Sequence, residues 1–108
     1  MVTATREVDI TNAEGLRDAL LSALNDGALG LVVDMTMTTF LDSAGVTALV
    51  RASRRAAASE ATLRLAAAAS PVLRVLNLVG IDQLVAVHPS VAAALASLPD
   101  QTGRGLPA

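Results

Sequence analysis

A chain of 108 residues is one domain, with room for a single core. Apolar residues make up 53% of it, but much of that is alanine and Phe40 is the only aromatic, so the core must be built from Leu, Val, Ile and closely packed small residues. A net charge of −2 excludes a broad basic footprint for nucleic acid, and the lack of cysteine excludes disulfides, thiolate metal sites and a thiol nucleophile.

No apolar run approaches the roughly 20 residues that a bilayer span needs, and the N-terminus carries no charged-then-apolar signal pattern. A soluble cytoplasmic protein is the expectation. Val2 to Val8 (VTATREV) is β-prone and predicts one short strand. Thr11 and Glu14 stand at capping-box spacing, opening a helix from about Asn12. Leu16, Ala19, Leu20, Ala23 and Leu24 give that helix one apolar face, and Asn25-Asp26-Gly27 ends it. Leu31, Val32 and Val33 form the apolar run of a strand covered on both faces, closed by Asp34; Thr36 to Phe40 then carry the chain over the sheet edge.

Asp42 and Ser43 are both N-cap candidates for the next helix, expected to run to about Ala58. Its spacing turns Val46, Leu49, Val50 and Ser53 inward and Arg51, Arg54 and Arg55 outward. Thr62 to Ala67 alternates as a strand. Ser70 as a cap with Pro71 in the first helical position predicts a helix from Pro71 to Val79, closed by Gly80. Leu84 to Val87 is a further strand, and Ser90 caps a last helix over Val91, Ala94, Leu95 and Leu98. The domain is expected to span residues 1–98, with a disordered tail over 99–108. Strands alternating with helices imply βαβ crossovers and a largely parallel sheet. In such folds sites gather at the carboxyl ends of strands, which is where Ser43 stands.

Ser43 admits several chemistries. A nucleophile elbow needs Gly-x-Ser-x-Gly, and here Leu41 replaces the first glycine; the one histidine, His88, has no sequence relation to Ser43. A helix cap is the plainest role, with free N–H groups beside the hydroxyl. A phosphorylation switch is the sharper one, because a phosphate adds up to about two negative charges beside Asp42 and would repel an acidic or closely packed partner. The arginine stripe is either a solvated face or a partner-facing patch. Gly27-Ala28-Leu29-Gly30 lacks the Lys-Ser/Thr of a P-loop. Asp9, Asp34 and Asp42 come from three elements and could form an acidic rim near Ser43, but one His and no Cys argue against a transition-metal site.

The run LVVDMTMTTFLDSAGVTALV, residues 31–50, resembles the central motif of the STAS domain, found in sulfate transporters and anti-sigma factor antagonists. Glu7-Val8-Asp9-Ile10 resembles the family's Gly-Glu-Leu-Asp opening, and Ser70 to Leu76 with Val79-Gly80-Ile81-Asp82 resembles its later helix and following turn. The resemblance implies a small α/β domain, a mixed, mostly parallel sheet of about four strands with about four helices, and no enzyme activity. It also implies an anti-sigma factor antagonist that captures an anti-sigma factor serine kinase and is switched off by phosphorylation at Ser43. No cofactor of its own is implied; ATP and Mg would be used by the partner kinase. Asp9, Asp34, Asp42, Ala44 and Gly45 are implied at or near the partner surface. No direct nucleic-acid contact and no membrane insertion are expected. The alternative within the family is a non-phosphorylated interaction module, such as a lipid-transporter subunit or a stressosome-like scaffold. Two departures stand out. Only Met1 to Arg6 precede Glu7, with Arg6 where the family has glycine, so the sheet is expected to lack the family's first strand and to expose an edge that a second copy could pair with. Ala44 replaces a frequent second serine, leaving Ser43 as the only hydroxyl of the motif.

Overall fold

A computed structural model describes residues 1–99. The expected disordered tail lies, but for Pro99, outside the described residues. The elements in chain order are β1 (Val2–Thr3), β2 (Glu7–Val8), α1 (Ala13–Asn25), β3 (Gly30–Met35), β4 (Phe40–Leu41), α2 (Ser43–Ala58), β5 (Thr62–Ala67), α3 (Ser70–Leu78), β6 (Ala86–His88) and α4 (Val91–Ala96). A 3-10 turn, Ile81–Gln83, joins α3 to β6. The main sheet has the order β1-β3-β5-β6, and β2 and β4 form a separate pair; every pairing is parallel. This is the small α/β domain that the alternation of strands and helices implies.

The expected single strand Val2–Val8 is divided in two, and the register gives the reason. Val2 faces Val33, whereas Glu7 faces Phe40, so the second segment runs two residues longer between its pairings than the first. The turn over residues 36–39 absorbs the surplus. Thr38 is 0% exposed there, and its hydroxyl donates to the Thr5 carbonyl at 2.7 Å, satisfying a backbone group that the interrupted ladder would leave bare. The other side of β1 has no strand beside it among the described residues.

β3 is buried on both faces, as its unbroken apolar run requires. It runs two residues beyond Val33, so Asp34 lies inside the strand instead of closing it. Leu31, Val33 and Met35 join Leu65, Leu20 and Leu24 of α1, Leu49 and Ala52 of α2, and Leu76 of α3 in the main core. Val32 turns to the other face, where it meets Ala66 and Ala94 under α4. Three of the alanines of α2, Ala48, Ala52 and Ala56, are buried, and short side chains there let α1 and α2 lie close together. Arg55 ties the last turns of both helices, donating to the Asn25 side-chain oxygen at 2.7 and 3.1 Å.

Caps account for the remaining differences from expectation. The Thr11–Glu14 capping box does not form: Asn12 occupies the cap position without a side-chain cap bond, Thr11 bonds Asp9, and Glu14 faces Arg17 at 3.4 Å. α3 begins at Ser70 with Ala69 as its N-cap, so Ser70 is helical and Pro71 follows it. Gly80 adopts φ 81°, turning the chain into the 3-10 segment and delaying the last strand to Ala86. Ser90 caps α4 as expected, accepting from the Ala93 N–H at 3.1 Å.

Candidate functional site

α1 and α2 both start where a strand of the small parallel pair has just ended. Val8 faces Leu41, so Asp9 and Asp42 emerge at neighbouring carboxyl ends, and the Asp42 N–H donates to the Val8 carbonyl at 3.1 Å. One residue further along stand Ile10 and Ser43.

Asp42, not Ser43, caps α2. Its backbone is extended, and its carboxylate accepts from the Ala44 N–H at 2.9 Å and the Gly45 N–H at 3.2 Å. A carboxylate accepts stronger, charge-assisted bonds at this positive helix end than a hydroxyl would. Ser43 is therefore the first helical residue, exposed, and its hydroxyl has no hydrogen-bond partner among the described residues. The free N–H groups expected beside that hydroxyl are correspondingly fewer, since those of Ala44 and Gly45 are taken.

Gly45 is buried. A Cβ there would press on Leu41 Cδ1 and lie 2.7 Å from Val8 Cγ1. The glycine thus lets the first turn of α2 rest on the β2–β4 pair, and it offers no surface of its own. Ala44 is half-buried in the wall of a groove of about 270 Å³ between α1 and α2, beside Ile10, Ala13, Thr47 and Ala48. Arg17 and Arg51 line the same groove.

The three carboxylates are not one cluster. Asp9 opens the turn that leads into α1, where the Thr11 hydroxyl and then the Thr11 N–H hold its carboxyl below the usual aspartate range. The Asn12 side chain locks this bend, accepting from the Asp9 N–H at 3.0 Å and donating to the Glu7 carbonyl at 2.7 Å. Asp34 faces Thr3 and Ala66 across the main sheet, on the Val32 side that α4 covers; its carboxylate accepts from the Thr36 N–H and hydroxyl at 3.0 and 2.6 Å. The structure therefore brings together Asp9, Asp42 and Ser43, and leaves Asp34 on the other face.

Sequence reasoning passed over three residues. Ile10 is 80% exposed, Met37 64% and Phe40 48%, all in or beside the segments that lead to Ser43. The signal was present: an isoleucine in the gap between a strand and a helix, and the chain's only aromatic three residues before the serine. His88, by contrast, ends β6 opposite Ala66 on the α4 side, whereas α2 packs on the other face, so it forms no pair with Ser43. Among the described residues no group of three or more His, Cys, Asp or Glu side chains could hold a metal ion, and no helix is long and apolar enough to cross a membrane.

The STAS domain family profile matches residues 1–94. A comparison with curated protein sequences finds no match. Among solved structures, the chain is similar to an anti-sigma factor antagonist from Mycobacterium paratuberculosis, with 23% identity and a TM-score of 0.81 over 89% of this chain and 81% of that one. It is also similar to a candidate anti-sigma factor antagonist from Thermotoga maritima, with 22% identity and a TM-score of 0.79 over 85% of this chain and 80% of that one. At these identities the likeness establishes the fold.

Proposed function

The chain belongs to the STAS domain family, and from that premise we propose that it is an anti-sigma factor antagonist, binding an anti-sigma factor that is also a serine kinase and released when that kinase phosphorylates Ser43. The observation that carries this reading is the Ser43 hydroxyl: exposed, unbonded, and relieved of the capping role by Asp42. Such a hydroxyl can accept a phosphoryl group without any loss of the contacts that hold α2 in place. ATP and Mg belong to the kinase.

The switch follows from charge. A phosphoserine carries about −1.5 to −2 near neutral pH. Two of the N–H groups that could neutralise it are occupied by Asp42, so its charge adds to that of Asp42 at the mouth of the site. The exposed apolar side chains of Ile10, Met37 and Phe40, in or beside the segments that lead to Ser43, supply contacts to the partner that the phosphate would interrupt. Asp9 and Asp42 present carboxylates at its edge, Asp34 lies outside it on the other face of the sheet, and Gly45 contributes through the seating of α2.

The test is a pull-down from native-host lysate with wild type, Ser43→Ala and Ser43→Asp as baits, read by mass spectrometry. Recovery of a kinase-fold ATPase by wild type and Ser43→Ala, but not by Ser43→Asp, is the expected result. An identical partner list for all three baits would sink the switch and favour a non-phosphorylated scaffold.

A further inference from the structure

We propose that the partner's docking element is an acidic amphipathic helix, seated in the groove between α1 and α2 and gripped by Arg17 and Arg51. This rests on the partner-switching reading above and names its contact. The groove adjoins Ser43, and its lining is of two kinds. Ala13, Ala44 and Ala48 are short, leaving about 270 Å³ open between the first turns of the two helices, and Ile10 rises beside them 80% exposed. That is a seat for aliphatic side chains.

The second kind is polar or charged: Thr47, Glu14, Arg17 and Arg51. Arg51 is exposed and has no ion pair or hydrogen bond among the described residues. Arg17, half-buried on α1, lines the groove with it and is paired at 3.4 Å with Glu14, whose charge it offsets there, and at 3.1 Å with Asp18; both carboxylates are exposed, and such pairs exchange readily. Arg55 is already committed to Asn25, so the positive charge open to a ligand is that of Arg51, with Arg17 recruitable beside it. A guanidinium presents a planar fork that matches a carboxylate with two parallel bonds. A cleft between two packed helices accepts a third through residues at i, i+3 and i+4, so aliphatic residues on one face and Asp or Glu at its border fit both kinds of lining. The same geometry explains release: Ala44 follows Ser43 directly, so a phosphate there stands beside an incoming row of carboxylates, and like charges repel.

The test needs no partner protein. A displayed library of helical peptides is selected on the purified chain, and the winners are measured by fluorescence anisotropy. Enriched peptides should carry Asp or Glu one helical turn from aliphatic residues. They should lose roughly tenfold in affinity on Arg51→Glu, lose less on Arg17→Ala, and weaken as salt rises. Arg74→Glu, on the exposed side of α3, should leave binding unchanged, and circular dichroism should confirm that every variant is folded. No enrichment, basic or uncharged winners, or equal binding by Arg51→Glu would each overturn the proposal. Ser43→Asp separates the two readings. Weaker binding is expected; full affinity that still depends on Arg51 would keep the docking site and remove the phosphorylation switch.

Discussion

Gly45→Ala tests the seating of the switch helix directly. The added methyl would press on Leu41 Cδ1 and lie 2.7 Å from Val8 Cγ1, both on buried side chains. Leucine can adjust its end, but valine is stiff at χ1 and is fixed in the β2–β4 pair, so α2 must shift. Overpacking of this size costs about 1–3 kcal/mol. Alanine in place of glycine returns up to about 1 kcal/mol of helix propensity, less so near a helix start. The net loss is about 1–2 kcal/mol, which in a domain of this size lowers Tm by roughly 5–15 °C. Thermal and urea unfolding followed by circular dichroism would measure it. Val8→Ala in the same chain should restore part of the loss, with a coupling of about 0.5–3 kcal/mol, because the two side chains compete for one space. A Gly45→Ala variant as stable as wild type, or more so, would show that the helix gain meets no opposition and would refute the close approach.

Two further predictions concern the neighbouring polar groups. Asp42→Ala should destabilise by about 1 kcal/mol through loss of the cap on two N–H groups, whereas Ser43→Ala should stay within about 0.5 kcal/mol of wild type; equal losses would mean that the serine shares the capping. Asp9 has a lowered carboxyl pKa in the fold, so the stability it contributes is present above its unfolded value near 3.8 and is lost as pH falls through the lower folded value. A carbon-detected NMR titration should therefore place Asp9 below 3.8 in wild type and move it upward in Thr11→Val, with an unchanged midpoint arguing against the hydroxyl as the main cause.

Where local chemistry was decisive, the sequence sufficed. The helix from Ser43 to Ala58 and the strand from Thr62 to Ala67 match their expected bounds, because an apolar repeat and an alternation each specify one backbone period. The aspartate-serine pair could not be resolved from sequence, since both residues cap helices well. What separates them is that the Asp42 N–H pairs with Val8 on another strand, which fixes Asp42 in the extended conformation a cap requires. Ser43 is pushed into the helix and its hydroxyl set free.

The division of Val2–Val8 was equally invisible, because nothing in the segment itself records that its partner runs two residues longer. The sequence by itself determined the alternation of strands and helices, the burial of β3 and the presence of a hydroxyl at a helix start, all set by neighbours within a few residues. Only the tertiary structure decided which carboxylates share an edge with that hydroxyl, why residue 45 must be glycine, and that an arginine from α1 and one from α2 line the same groove. Those depend on pairings and packing between segments tens of residues apart, and no local pattern carries that information.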